Sequence, residues 1–102
     1  MNQSNSIEQE PPIRVTKHAM KRFKQRLGLP KSAHKKSALR AYKDGLADDH
    51  ARGKAKLFLR KLASNNNKNI LRVYGEFVYI FDETTLVTVF GIPRGIRKDF
   101  FQ

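Results

Sequence analysis

His18, Arg22 and Arg26 recur at four-residue intervals within the stretch VTKHAMKRFKQRLG, Val15 to Gly28. On a helix that spacing lines up one imidazole and two guanidinium groups along a single stripe. Such a row can hold phosphate, and with a titratable imidazole it can also move protons. Cleavage of RNA needs those two abilities and no metal. A base takes the 2′-hydroxyl proton, an acid protonates the leaving oxygen, and cations stabilise the charged phosphorane. Histidine is the residue of the row that titrates near neutral pH. Arg72, with Tyr79 or Thr88, lies on later segments that could face the row. The catalytic candidates are therefore His18, Arg22, Arg26, Arg72 and Tyr79. The competing interpretation is a solvated helix face. The helix macrodipole disfavours a cation near an N-terminus, which suits a neutral His18 acting as base and equally suits a surface histidine.

The charge balance points the same way. Lys and Arg number 21 against 9 Asp and Glu, a formal charge of +12, and two of the acids, Glu8 and Glu10, fall in the leading tail. A domain so basic calls for a polyanionic partner, nucleic acid first and RNA in particular. An acidic protein, as an antitoxin or a host target, is the second candidate. Candidate phosphate contacts are Lys35, Lys36, Arg40, Lys54, Arg94, Arg97 and Lys98. Tyr42, Tyr74 and Tyr79 could stack on bases if exposed, or serve as core and rim residues if not.

Other classes are excluded or disfavoured. The chain has no cysteine, so disulfides and thiolate chemistry are out. No phosphate-binding glycine loop, dinucleotide fingerprint or nucleophile elbow occurs. His18, His34 and His50 fall on three different segments, and no carboxylate pair has ligand spacing, so neither metal nor cofactor is expected. No apolar run approaches the roughly 20 residues of a membrane span, and no secretory leader is visible. These features predict a cytoplasmic protein with no membrane partner. Oligomeric state is left open.

The elements that must position these residues are readable from periodicity. Residues 1–12, ending in Pro11-Pro12, read as a disordered tail, and residues 13–102 as a single basic domain. Ile13-Arg14-Val15 alternates like a short edge strand. Thr16 is the expected N-cap of the first helix, with Ala19, Met20, Phe23 and Leu27 inward and Gly28 as its stop. A second helix starts at Lys31 or Ser32, with Ala33, Ala38, Leu39, Tyr42 and Leu46 inward. A third, capped by Asp48 or Asp49, runs to about Ala63 with Ala51, Ala55, Phe58, Leu59 and Leu62 inward. An Asn-rich loop, Ser64–Asn69, follows. The period then drops to two: Ile70–Tyr74, Phe77–Phe81 and Leu86–Phe90 form a three-stranded antiparallel meander with turns at Gly75-Glu76 and Asp82–Thr85. Phe77, Tyr79 and Phe81 share one face of the middle strand, Val78 and Ile80 the other, so both faces require cover. A basic loop, Gly91–Lys98, then Phe100 and Phe101, end the chain. The expected fold is α+β, three helices packed on the meander, with Phe23, Phe58 and Leu62 sharing one core.

Two features carry a family resemblance. The segment VTKHAMKRFKQR looks like the opening of small bacterial and phage proteins related to the ribonuclease toxins of toxin–antitoxin modules. The order of short strand, helices and meander over residues 13–92 resembles those RelE/BrnT-like toxins. The resemblance implies metal-independent endoribonuclease activity and an acidic antitoxin, and it carries His18, Arg22 and Arg26 across as site residues. The additional helix and the Asn-rich loop depart from the toxin pattern. The alternative is a non-catalytic phage or bacterial protein that binds nucleic acid, or blocks a nucleic-acid-handling host protein, through its basic face.

Overall fold

A computed structural model describes residues 11–47, 51–63 and 69–99. It is an α+β fold: β1 (Arg14–Val15), α1 (Lys17–Arg22), α2 (Lys31–Asp44), β2 (Leu46–Ala47), α3 (Gly53–Ala63), β3 (Ile70–Tyr74), β4 (Phe77–Asp82), β5 (Thr85–Gly91) and a 3₁₀ turn, Arg94–Asp99. The expected meander is present as β3–β4–β5, but it is the centre of a larger sheet. The strand order is β1-β5-β4-β3-β2, with β1 parallel to β5 and β2 antiparallel to β3. The three-stranded, all-antiparallel expectation is thereby corrected to a five-stranded mixed sheet. The two added strands are two residues long, and their pairing is decided by distant partners rather than by local pattern. Leu46, expected on the second helix, pairs with Val73 instead. The break at Gly45 is steric. A Cβ there would sit within 2.4 Å of the Ala41 carbonyl oxygen and 3.0 Å of Arg72 Cβ, so glycine is required where the chain turns onto β3.

The helices divide between the two faces of the sheet. Phe23, Ala19, Ala38 and Ala41 bury against Tyr79, Phe81, Leu86 and Val89. On the opposite face Ala55 and Leu59 bury against Leu71, Val73, Val78 and Ile80, with Phe58, Leu62 and Ile96 packed alongside. The expectation of one core shared by Phe23, Phe58 and Leu62 is wrong for a simple reason. Alternation along β4 sends Tyr79 and Phe81 one way and Val78 and Ile80 the other, and each set has its own helical cover.

Thr16 fixes the entry to α1. Its hydroxyl accepts from the Ala19 amide at 3.0 Å, the N-cap bond, and donates to the Val87 carbonyl at 3.2 Å. Its own amide donates to the Leu86 carbonyl at 3.1 Å. A register shift in β5 makes this possible. Ile80 pairs with Thr88 and Phe81 with Leu86, leaving Val87 as a bulge. After Arg22 the helix widens into a π turn, Phe23–Leu27, and stops at Gly28 with φ 67°, the left-handed conformation that glycine adopts freely. The expected single α-helix is thus an α-turn followed by a looser one.

Candidate nucleic-acid interface

The outward surface of α1 and its π turn carries Lys17, His18, Lys21, Lys24, Gln25 and Arg26, all exposed, with Arg22 half-buried among them. Arg22 Nε donates to His18 Nε2 across 3.4 Å, and Arg22 Nη1 donates to Gln25 Oε1 at 2.9 Å. Nε2 as acceptor leaves the ring hydrogen of a neutral His18 on Nδ1, facing away from the guanidinium. Gln25 was not among the expected site residues. Its place three residues after Arg22 is the spacing that could have revealed it.

Arg26 is turned to another use. Its Nη1 donates to the Val89 carbonyl at 2.7 Å, and its guanidinium carbon lies 4.9 Å over the Phe90 ring. It clamps the π turn to β5 beyond the end of β1, where, among the described residues, that strand edge has no neighbouring strand. Burial, and then the charge of Arg22, lower its pKa from the ordinary arginine value. His18 and Arg22 therefore stand together as a surface pair, and Arg26 anchors the turn that follows them.

Two of the five catalytic candidates lie elsewhere. Arg72 is half-buried on β3, two strands across from β5, a displacement of about 10 Å. Its Nη1 donates to the Leu71 carbonyl at 3.1 Å, beside the α2–β2 junction. Tyr79 is a core residue at 2% exposure, its ring edge-on to Phe23 at 5.9 Å and to Tyr74 at 6.3 Å. A phenol in that position does not reach a substrate phosphate. Thr88 is also buried. Tyr42 and Tyr74 are half-buried, Tyr42 edge-on to Phe81 at 5.1 Å.

The Tyr79 phenol is pushed up to about 12, by burial first and by Tyr74 second. Folded chains therefore keep a proton that unfolded chains release near 10.0. The associated stability is full below that pH and is lost as pH rises towards 12. Tyr79→Phe should flatten the fall in melting temperature over this window relative to wild type. Equal falls would place the phenol in water.

The phosphate-contact candidates separate onto two sides. Lys35, Lys36 and Arg40 are exposed on α2, on the same side of the sheet as α1. Lys54 on α3 and Arg94 in the 3₁₀ turn are exposed on the opposite side. Arg97 there is committed to Glu76 at 3.0 Å and to the Ile92 carbonyl at 3.1 Å. The Lys98 side chain, His50, Asp48, Asp49, Phe100, Phe101, tail residues 1–10 and residues 64–68 of the Asn-rich loop lie outside the described residues.

Sequence reasoning passed over His34. It is 4% exposed, its Nε2 is 2.9 Å from the Leu29 carbonyl oxygen, and its ring stacks on Phe23 at 4.7 Å and 19°. The signal was its spacing of four and seven residues from Ala38 and Ala41, the buried stripe of α2.

Fold and surface together define a strongly basic α+β domain with cations on both helical layers, eleven between residues 11 and 47 and five between residues 51 and 63. Scanned against protein-family models, curated proteins and solved structures, the chain matches none of them. Among the described residues no group of three or more His, Asp or Glu could hold a metal ion, and no helix is long and apolar enough to cross a membrane.

Proposed function

We propose that the α1–α2 side of this domain binds nucleic acid, cytoplasmic RNA in the first place, through its phosphates. One observation carries the reading. Between residues 11 and 47 the chain has Arg14, Lys17, Lys21, Arg22, Lys24, Arg26, Lys31, Lys35, Lys36, Arg40 and Lys43, and a single acid, Asp44. The two helices holding most of these cover one face of the sheet, while residues 51–63 on the other side add Arg52, Lys54, Lys56, Arg60 and Lys61, so the α1–α2 side is favoured by its larger number of cations. Arg22 is bonded to neutral partners, His18 and Gln25, and its positive charge stays available to an anion. Phosphate backbones meet such layers by releasing counterions, which supplies affinity without sequence reading.

Metal-independent cleavage, as in the ribonuclease toxins that the opening segment resembles, is the second reading. The surface pair of exposed His18 and half-buried Arg22 favours it, since an imidazole beside a guanidinium supplies a proton acceptor and a phosphorane clamp in one place. Arg72 and Tyr79 are withdrawn from that proposal by their positions.

The test is titration of a labelled single-stranded RNA at several salt concentrations in chelator, followed by gel analysis of the RNA. Binding with log K falling by about 0.7 per phosphate contact for each unit of log salt supports the first reading. Fragments that appear with wild type and not with His18→Ala support the second. A flat salt dependence with intact RNA overturns both and leaves the basic face to an acidic protein.

A further inference from the structure

Two hollows adjoin at the junction of the π turn and α2, sharing Met20, Lys31 and His34 in their walls. Their volumes are about 610 and 350 Å³, within the range that small organic ligands fill. Leu29 and Pro30 extend the apolar wall of the larger one, and Lys21 and Lys24 join Lys31 at its rim.

His34 gives this place its chemistry. Nε2 lies against the Leu29 carbonyl oxygen, so Nε2 bears the hydrogen and Nδ1 of the neutral ring is an acceptor. Nδ1 is buried and has no hydrogen-bond partner among the described residues. Buried acceptors are rarely left unpaired in native proteins. Stacking on Phe23 keeps the ring from turning away. A second feature lies within the same wall. The 14-residue α2 starts after Pro30, which offers no side-chain cap; the Ala33 amide donates to the Pro30 carbonyl at 2.9 Å, and the positive end of the helix dipole is left to attract an anion.

We infer that this hollow takes one unstacked nucleotide of a single strand. The base enters the apolar space and, on displacing the wall side chains that close over the buried Nδ1 of His34, donates an N–H to it. Its phosphate rests on Lys21, Lys24 and Lys31 at the α2 N-terminus. Every common base presents an N–H donor and an apolar ring face, so the hollow selects an unpaired base rather than a particular one. The inference rests on the proposed binding of RNA by the α1–α2 side and adds to it a preference for single strands.

Methyl-labelled methionine gives the readout on the full chain, because Met20 and Met1 are its two methionines and Met1 serves as reference. Adenosine monophosphate should shift the Met20 methyl and His34 ring signals, and inorganic phosphate at equal concentration should leave them in place. Lys21→Gln with Lys24→Gln, two exposed positions that do not endanger folding, should weaken adenosine monophosphate at least tenfold. A twelve-nucleotide single-stranded RNA should bind at least tenfold tighter than a duplex of the same length. His34→Phe, which keeps a ring against Phe23, should remove that preference. Unmoved Met20 and His34 signals, or the same shifts from phosphate alone, overturn the hollow as a nucleotide site. RNA binding with a steep salt dependence and no single-strand preference overturns the inference and leaves the broader reading standing. Adenosine monophosphate binding without RNA binding overturns the broader reading and the single-strand preference with it, and leaves only a mononucleotide site.

Discussion

Phe23→Ala should destabilise the protein by about 3 to 5 kcal/mol, the usual loss for a fully buried phenylalanine. The side chain has 0% exposure. Its ring is stacked on His34 at 4.7 Å and meets Tyr79 edge-on at 5.9 Å. Those geometries add roughly 0.5 to 1.5 kcal/mol each to the area term. Phe23 also starts the π turn, so the cavity would open where three elements converge and none can collapse into it. Phe58→Ala is the informative comparison. Phe58 is half-buried at the margin of the other core and should cost about 1 to 2 kcal/mol, nearer the centre of the distribution for point substitutions. Urea unfolding of both variants checks this. Equal losses would mean that the two faces of the sheet are not separately packed.

Lys17→Gln, Lys36→Gln and Arg40→Gln combined should weaken binding of a single-stranded RNA roughly 60-fold at 0.15 M salt. Each lost phosphate contact removes about 0.7 from the salt slope of a single-stranded RNA and so roughly a factor of four at that concentration. The three residues are exposed on α1 and α2 and lie outside the walls of the His34 hollow. The control is Lys54→Gln, Lys56→Gln and Arg60→Gln, three exposed residues on α3 across the sheet. It removes the same net charge and should change affinity little. Equal losses from both triples would indicate attraction by net charge alone, with no preferred face. Fluorescence anisotropy with a labelled RNA at two salt concentrations separates the outcomes.

Much of the scaffold is legible in the sequence because it is specified locally. Thr16 caps, Gly28 stops, and the alternation from Ile70 to Phe90 forms strands wherever the chain is placed. What is not legible depends on contacts between distant segments. Two-residue strands such as Leu46–Ala47 carry no periodicity of their own. The apolar residues on both sides of β4 announce two covers without saying which helix supplies each. The π turn, which gives Arg26 to β5, follows from docking and not from the residues of the turn. The candidate site divides along the same line. His18 and Arg22, one α-turn apart, meet as helical spacing requires. Arg72 and Tyr79 could be joined to them only by a strand order that no local pattern contains. His34 was hidden by its neighbours: a histidine before Lys35 and Lys36 reads as surface, although Ala38 and Ala41 mark its face as buried.

The parallel pairing of Arg14 with Thr85 has a consequence for how the protein is made. The bond from Thr16 to Val87 spans 71 residues. At roughly 5 to 20 residues per second of synthesis, several seconds separate the appearance of α1 from that of the strand it caps against. An isolated helix this short is barely stable in water, and until β5 is made Phe23 lacks the completed sheet face that buries it. The α3 side draws its main contacts from residues 51 to 92, so those partners emerge close together in time. The ribosome therefore delivers the basic α1 row first and its support much later, and a chain that stalls before β5 exposes charge and an aromatic side chain on an unfinished helix.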